Sequence, residues 1–542
     1  MQLAPLRTFI WRYSVHLQLL WWAIKWARST FGHDWAGLII FGKWVMSDQA
    51  VILAGVCVYV VLMLAVGLFA ARRSSSMQDF AVSGRNMSLT VCSISIVATW
   101  FGSGPMMGSA AAAYAGNALE VLRDPLVSGV SLFIAGFFFA RTYRRSRRTT
   151  SIEFAEIRIG PLAGVIGSVV NLIAGTIWLG GVLFAFGVVF ETLTGQPAAM
   201  GILAGTGVIV VYTMFGGLQA VAATDVLQML FIVVGVLVLF VVVLVDAGGW
   251  GEVAPQLPAH AFDFTPQGDS FSDWFSYLQV WFSSGLVAIG TMSLVQRAMA
   301  SRDEYVAQNA FYIGGAIYLV FGMVPVTLGY IATVAMPGVE DPNAIIPLLA
   351  IEHLHPILVA IFVGAVVSAI MSTSDSILLG CGTIISVNLL PRVHANPSEE
   401  LKLRVARWSV PLMAIIALYT AFNTATVISA IAAAISLGFA GLSAPGILNI
   451  WWPKLTSAGG YGGIFAGFLT FGVLKAAYPE LPADFVGFWV SLVVAVAVSV
   501  ATQKSSPPKM LTDVDGQPLD LHDRMGTLPL LRTDAVAGRL RD

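Results

Sequence analysis

Charged residues are scarce in this sequence, and the two signs nearly cancel. Only 11% of the 542 residues are charged, whereas a soluble domain carries about 25%. A water-soluble fold of this length cannot cover its surface with so few charges, which argues against soluble enzymes and disordered proteins. The net charge of −1 provides no basic surface to attract DNA or RNA, so no nucleic-acid partner is expected.

Cysteine is equally scarce. The three cysteines, Cys57, Cys92 and Cys381, all lie in apolar runs, which suggests neither a disulfide framework nor a cysteine-rich metal site. His353 and His355 in a loop are weak evidence for a catalytic metal. The sequence therefore predicts a protein that is not an enzyme.

Apolar residues make up 57% of the chain, and the mean hydropathy is +0.81. Most of the apolar runs are long enough to cross a hydrocarbon layer of about 30 Å as helices, and they lack the alternation of a membrane β-barrel. We expect an all-α integral membrane protein whose transporter domain spans residues 46–502 in the lipid bilayer. The segments number about thirteen and lie at 50–71, 89–114, 125–143, 161–191, 197–215, 220–245, 273–295, 309–335, 356–390, 406–423, 425–450, 458–477 and 484–502.

The distribution of lysine and arginine predicts the orientation. The richest basic loop is Arg141–Arg148, whereas the long loops 246–272 and 336–355 contain no lysine or arginine. Because basic loops stay in the cytoplasm, we expect the N-terminus outside and the C-terminus in the cytoplasm. The membrane expected is the plasma (cytoplasmic or inner) membrane.

The two ends of the chain fit the pattern less well. Residues 1–45 place five basic residues on the expected outer side; they form either an extra amphipathic or membrane helix, or a segment that is not translated because synthesis begins at Met46. The polar tail, residues 503–542, is expected to be a loosely ordered cytoplasmic extension.

A glycine-rich segment interrupts the second apolar run, from Ala98 to Pro105. Glycine and proline weaken or break helices, and broken backbone at membrane depth persists where it lines a cavity or binds something. One interpretation is a kink packed by neighbouring helices. The other is a discontinuous helix whose free carbonyl groups bind a cation.

The ninth run supplies a possible counterpart. Ala369, Ser372 and Thr373 share one helix face, and their oxygens suit a hard monovalent cation better than zinc; alternatively, the hydroxyls merely bond back to their own helix. Asp225 and Asp375 lie within runs, where ionisable residues are costly and mark either an ion pathway or a hydrogen-bonded structural role.

Four short segments carry recognisable motifs. Gly216–Gln228 follows the pattern G-G-x-x-A-V-x-x-T-D-x-x-Q, and Gln296–Ala300 follows the pattern Q-R-x-x-A. The other two are the loop Asp79–Arg85 and the group Ala369, Ser372 and Thr373. Together they resemble the sodium:solute symporter family over about residues 50–450, where the loop corresponds to the first inner loop of the family and the group to its sodium motif.

The resemblance implies a leucine-transporter-like core of two inverted five-helix repeats with discontinuous helices, here at about 89–245 and 273–450. It also implies that Na⁺ is the coupling ion, with no organic cofactor. The sodium ligands carried over are the carbonyls of Ala98, Phe101 and Ala369 and the hydroxyls of Ser372 and Thr373. Asp225 matches an acidic residue that the family places near the sodium route to the cytoplasm, and Asp375 is the second candidate for the ion pathway.

The substrate residues are predicted from a narrower resemblance. Trp100, Gly102 and Gly104 stand in a segment similar to that of the choline-transporter branch, where Trp100 either faces a quaternary ammonium or packs as a gate. The seventh run departs from that branch, because Gly290-Thr291-Met292 replaces Pro-Trp-Gln. The further candidates for the pocket lining in this run are Trp281, Phe282 and Ser284, and the substrate itself is not assigned.

The function expected from these residues and the resemblance is sodium-coupled import of a small organic solute by alternating access. Two alternatives remain at this point. One is a proton-coupled carrier on the same fold that uses Asp375 or Asp225, and the other is a sensor that binds solute without transporting it.

Overall fold

The computed structural model describes residues 48–526, apart from 72–75, 258–260, 267 and 269. These residues form helices joined by short loops, and no strand occurs among them, which confirms the all-α prediction. The predictions about residues 1–45 and a start at Met46 fall outside the described residues.

The helices follow the apolar runs. In chain order they are α1 (Asp48–Ala71), α2 (Met77–Val82), α3 (Leu89–Trp100), α4 (Ser109–Tyr114), α5 (Ala118–Val121), α6 (Ser128–Phe138), α7 (Ala140–Ser146), α8 (Ile152–Arg158), α9 (Pro161–Thr194), α10 (Ala198–Asp246), α11 (Trp250–Val253), α12 (Phe271–Gly285), α13 (Val287–Gly290), α14 (Met292–Ala300), α15 (Glu304–Ala335), α16 (Ile345–His353), α17 (Pro356–Ile384), α18 (Leu390–Val393), α19 (Glu399–Phe422), α20 (Val427–Gly438), α21 (Ala444–Trp451), α22 (Ser457–Ala477) and α23 (Ala483–Ala501). Wider π-helical turns at Gly104–Gly108, Leu122–Val127, Ile385–Leu389 and Phe439–Ser443 continue several of them.

Nine of the described helices are long and apolar enough to cross a membrane, and counting two bent helix pairs as spans raises the number to eleven. The bent pairs are Leu89–Trp100 with Gly104–Tyr114 and Phe271–Gly290 with Met292–Ala300. The protein is therefore a multi-pass membrane protein. The number of about thirteen spans stays a prediction.

Several spans begin where a side chain caps the helix. The side-chain oxygens of Ser88, Ser270, Asp303 and Ser398 each accept a hydrogen bond from a backbone N–H in the first turn of α3, α12, α15 and α19. A helix start leaves backbone N–H groups without helical partners, and these caps satisfy one of them. The caps fix where each span leaves its loop.

The longest helix, α10, is not continuous in geometry. Gly217 adopts φ 60° and ψ −171° in its middle, a backbone conformation that side chains disfavour. A Cβ atom at Gly217 would also lie 2.7 Å from the Cα of Phe80 in α2. The glycine pair of the 216–228 segment therefore permits both a break and the close approach of a loop helix.

The tail is held against the basic loop, contrary to the expectation of a loosely ordered extension. Within the described residues up to 526, Arg145 donates to the carbonyls of Asp520 (2.6 Å) and His522 (2.6 Å). Arg148 donates to the carbonyl of Asp513 at 2.6 Å, and Arg147 pairs with the Asp513 carboxylate at 2.8 Å. The arginines that predict the orientation also bind the tail, an arrangement that sequence pattern alone does not reveal.

Candidate functional site

The span that starts at Leu89 is interrupted at the glycine-rich segment. α3 ends at Trp100, Phe101 has φ −82° and ψ 66°, and the axis turns by 54° before Gly104–Tyr114 begins. The N–H of Gly102, which a continuous helix would direct to the Ala98 carbonyl, bonds to the Trp100 carbonyl at 3.0 Å. The break therefore frees the Ala98 carbonyl from its own helix.

The hydroxyls of α17 meet this freed backbone. Ser372 Oγ donates to the Ala98 carbonyl at 2.8 Å and also approaches its own Ala369 carbonyl at 3.2 Å. Thr373 Oγ1 donates to the Thr99 carbonyl at 3.0 Å. The structure thus brings together the candidate oxygens of Ala98, Ala369 and Ser372, with Thr373 one position further along the break.

Phe101 lies at the break, but the Ser372 and Thr373 hydroxyls bond to the two residues before Trp100 and not to Phe101. Its ring packs against Phe321 of α15, with centroids 4.9 Å apart. A Cβ atom at Gly102 would overlap the Thr373 hydroxyl and lie 3.0 Å from the Thr373 Cβ. The two helices therefore approach closely because Gly102 has no side chain.

A buried ion pair lies beside this contact. Asp225 and Arg297 are both fully buried, and Arg297 Nη2 lies 3.4 Å from Asp225 Oδ2. Ser95 of α3 donates to the same carboxylate oxygen at 2.5 Å, and Arg297 Nη2 donates to Ser376 Oγ at 2.6 Å. The charge of Asp225 is therefore compensated within the protein.

Asp375 belongs to the same network. Tyr212 donates to Asp375 Oδ2 at 2.7 Å, and Ser376 donates to Asp375 Oδ1 at 3.1 Å. Ser376 Oγ also lies 3.1 Å from Thr99 Oγ1 in the broken span. Both aspartates thus have hydrogen-bonded structural contacts, and their role in an ion pathway stays a prediction.

A small cavity adjoins the break. Three of the predicted substrate residues, Trp100, Gly102 and Gly104, line it, as does Thr373. The Trp100 indole donates to the Ser128 carbonyl at 3.3 Å, and its ring lies 5.4 Å from that of Trp178. The other lining residues are Ser103, Pro105, Asp124, Ser128, Trp178, Tyr318, Ile431 and Ile435.

The structure does not bring the seventh-run candidates to this cavity. Trp281 is 37% exposed, and the ring of Phe282 packs 5.5 Å from Phe485 in α23. Ser284 is fully buried, and its hydroxyl has no hydrogen-bond partner among the described residues. The second broken span does exist, because Phe271–Gly290 and Met292–Ala300 meet at 46°.

A larger, open cavity lies at the end of the helices that carries the arginine-rich loop. Tyr143, Asn171, Thr291 and Asn449 supply polar atoms to its wall. Ile435 lines both this cavity and the small one at the break. The two cavities are therefore neighbours, separated at Ile435.

Three residues of the site are missing from the sequence-based candidates. Asp124 stands one residue outside the predicted third span, so hydropathy does not predict its burial. Arg297 belongs to the Q-R-x-x-A motif, but the motif does not identify it as the partner of Asp225. Tyr212 is one of three residues with a hydroxyl group in the run 197–215, with Thr206 and Thr213, and a polar group within a span is the signal in the sequence that points to it.

Comparison with known proteins decides the family. A family model described as "Sodium:solute symporter family" matches residues 80–467. The chain belongs to the sodium:solute symporter family. This symporter is thus an integral membrane transport protein, and its relatives are transporters and not enzymes.

Two curated relatives are named as transporters of different solutes. The symporter is 27% identical over 404 residues to the high-affinity choline transporter 1 of Caenorhabditis elegans, covering 68% of this chain and 69% of that one. It is 26% identical over 472 residues to the high-affinity proline transporter PutP of Bacillus subtilis, covering 83% and 98%.

A solved structure establishes the fold. The symporter superimposes on a Na⁺-coupled sialic acid symporter in a substrate-bound, outward-open state with a TM-score of 0.71. The match has 16% sequence identity and covers 84% of this chain and 98% of that one. At this identity the likeness shows a shared fold.

Proposed function

We propose that this symporter couples the inward movement of Na⁺ to the import of a small organic solute by alternating access. The observation that carries the proposal is the meeting of Ser372 with the freed Ala98 carbonyl at 2.8 Å. The oxygens at this point are neutral, and no group of three or more His, Cys, Asp or Glu residues suited to a metal occurs in the described part of the chain. Neutral oxygens suit Na⁺ better than a divalent or soft metal.

In the proposed site, the carbonyls of Ala98, Phe101 and Ala369 and the hydroxyls of Ser372 and Thr373 bind the ion. The ligands come from two helices that are distant in sequence, so a bound ion holds the broken span against α17. Solute bound in the adjoining cavity contacts the same broken span. Sodium and solute therefore favour the same conformation, and the coupling is reciprocal.

The proposed architecture has thirteen spans. It counts α10 as two spans on either side of Gly217 and adds α1 to the eleven described above. The inverted repeats, at about 89–245 and 273–450, each begin with a bent helix pair, which supports the repeat. The N-terminus lies outside and the tail in the cytoplasm, as the basic loop predicts.

With this orientation, the open cavity lies on the cytoplasmic side. The outer side is closed by Tyr114, which donates to the Met336 carbonyl at 2.9 Å and accepts from the Val339 N–H at 2.9 Å. We therefore assign the conformation as inward-facing, with Ile435 between the small cavity and the cytoplasmic one. Import requires the opposite arrangement, in which the Tyr114 contacts open.

The sodium gradient supplies enough free energy for this work. One charge that crosses about 100 mV releases roughly 2.3 kcal/mol, and a tenfold concentration gradient adds about 1.4 kcal/mol. The total of about 3.7 kcal/mol sustains roughly 500-fold accumulation of solute.

The experiment measures the thermal stability of the purified protein against Na⁺ concentration, with K⁺ keeping the ionic strength constant. Na⁺ should stabilise the folded protein by mass action. Ser372→Ala and Thr373→Ala should each raise the Na⁺ concentration for half-maximal stabilisation at least about tenfold. The matched control is Ser374→Ala, because Ser374 Oγ bonds within its own helix to the Ile370 carbonyl at 2.7 Å.

An unchanged Na⁺ midpoint in both variants would refute the site. Two further outcomes identify the alternatives. Uptake that responds to a proton gradient but not to replacement of Na⁺ by K⁺ at fixed pH indicates a proton-coupled carrier. Sodium-dependent solute binding without uptake into vesicles indicates a sensor.

A further inference from the structure

The small cavity contains a buried carboxylate. Asp124 is 6% exposed and lies in the π-helical turn before α6. Its Oδ1 accepts a hydrogen bond from Tyr318 at 2.6 Å. No described residue donates a hydrogen bond to its Oδ2, which faces Gly104 so closely that a Cβ atom there would lie 2.8 Å away.

The carboxyl group of Asp124 has no basic partner in the cavity. The lining contains no lysine, arginine or histidine. The neighbouring Arg123 is directed to Glu120, with its Nε 2.9 Å from Glu120 Oε2. A buried carboxylate is costly in its ionised form unless a positive charge compensates it, so a bound cation would supply the compensation that the cavity wall lacks.

Much of the cavity wall around this carboxyl group is aromatic. Trp100, Trp178 and Tyr318 line the same cavity, and the two indole rings lie 5.4 Å apart. Aromatic faces attract organic cations, most strongly where water is excluded. The polar and aromatic parts of the wall therefore favour the same ligand charge.

The position of Asp124 also argues against a ligand carboxylate. Gly104 begins the second half of the broken span, and the N-terminal end of such a half-helix attracts anionic groups. Here the Asp124 carboxylate already lies beside Gly104. A ligand carboxylate would meet a second carboxyl group, with no basic side chain in the wall to offset a negative charge on either.

We propose that the solute is a monovalent organic cation, an amine or quaternary ammonium without a carboxylate, whose positive charge lies against Asp124 and the aromatic wall. This inference rests on the proposed function, because it names the solute class of the same transport site. It separates the choline-like from the proline-like solutes of the two relatives by the chemistry of this chain's own residues.

The test uses purified full-length protein in detergent and measures thermal stabilisation in saturating Na⁺. The probes are choline, the neutral carbon analogue of choline with a tert-butyl head, glycine betaine and proline. Choline should stabilise the protein, and its affinity should exceed that of the neutral analogue at least about tenfold. Glycine betaine has the same trimethylammonium head and a carboxylate, so it should bind more weakly than choline.

Asp124→Asn tests the carboxylate with little change in shape. We expect it to lower choline affinity at least about tenfold and to remove the preference for choline over the neutral analogue. Tyr318→Phe is the control: it removes the hydrogen bond to Asp124 but keeps the charge, so the preference for the cation should persist. A merely structural role for Asp124 would lower stability and leave that preference unchanged.

Each contrary result has a distinct meaning. Sodium-dependent binding of proline in preference to choline, or no binding of choline, overturns the solute class. An unchanged preference in Asp124→Asn overturns the role of the residue. If Asp124→Asn instead weakens stabilisation by Na⁺ in the absence of any organic probe, the carboxylate contributes to Na⁺ binding and this inference fails. The Ser372 and Thr373 variants still test the proposed function separately.

Discussion

Removal of the Arg297 side-chain charge is the sharpest test of the buried network. Arg297 is fully buried, and its guanidinium bonds to Asp225 (3.4 Å), Ser95 (3.1 Å) and Ser376 (2.6 Å). Arg297→Met keeps a long apolar side chain and removes the charge. The substitution leaves the Asp225 carboxylate buried without its cation, while Ser95 still donates to it.

The expected loss follows from that uncompensated charge. Removal of one partner of a buried ion pair costs about 3–5 kcal/mol, whereas replacement of both partners by groups of similar size is often close to neutral. Arg297→Met should therefore lower the free energy of unfolding by about 3–5 kcal/mol. The double variant Arg297→Met with Asp225→Asn should recover at least about 2 kcal/mol of this loss, because Asn leaves no uncompensated charge in the interior.

The assay is unfolding in mixed micelles with increasing denaturing detergent, applied to the four proteins of a double-mutant cycle. The coupling energy between the two positions is the deciding quantity. Thr224→Val serves as a control in the same helix, because Thr224 Oγ1 bonds only to its own helix, at the carbonyls of Ala220 and Val221. Additive losses, or a loss below about 1 kcal/mol for Arg297→Met alone, would refute the reasoning that Asp225 is held ionised by Arg297.

Two further predictions concern packing and the tail. Gly102→Ala should abolish Na⁺ stabilisation of the purified protein, because the added Cβ overlaps the Thr373 hydroxyl. Gly207→Ala is the control and should leave the Na⁺ response unchanged, because a Cβ there meets nothing within 4 Å. Equal Na⁺ responses in both variants would contradict the close approach of the two helices at Gly102. The Arg147 guanidinium holds the pKa of Asp513 below its usual value, so the tail contact is complete at neutral pH and should weaken as the pH falls below about 4. Hydrogen exchange at residues 512–517, corrected for its intrinsic pH dependence, should become faster as the pH falls. Arg147→Gln should remove this pH dependence, and an identical pH response in that variant would refute the pairing.

The sequence predicts the parts of this molecule that depend on local pattern. The apolar runs locate the helices, and the glycine and proline residues between Ala98 and Pro105 locate the break. The helical spacing of Ala369, Ser372 and Thr373 places their oxygens on one face. Each of these follows from the backbone periodicity of a single segment.

Contacts between distant segments are where sequence reasoning fails. The sequence does not show that Arg297 lies beside Asp225. It also does not show that the Ser376 hydroxyl contacts both Arg297 and Thr99. Asp124 lies one residue before the predicted third run, because a span boundary drawn from hydropathy is accurate only to a few residues. The polar composition of the tail predicts a loosely ordered segment, whereas its carbonyls bind the arginines of a loop more than 350 residues away.

Stability alone does not account for the charged network, since a buried ion pair contributes little net free energy compared with apolar packing. The geometry of the network suggests a second reason for its presence. Ser376 of α17 accepts from Arg297 and contacts Thr99 of the broken span, while the Thr99 carbonyl accepts from Thr373. A shift of α3 along α17 therefore strains three hydrogen bonds together, namely those of Thr99 to Ser376 and Thr373 and that of Ala98 to Ser372, in a region where unsatisfied polar groups are costly. Such a contact favours discrete arrangements over gradual sliding, which is the behaviour that alternating access requires of the interface beside the proposed sodium site.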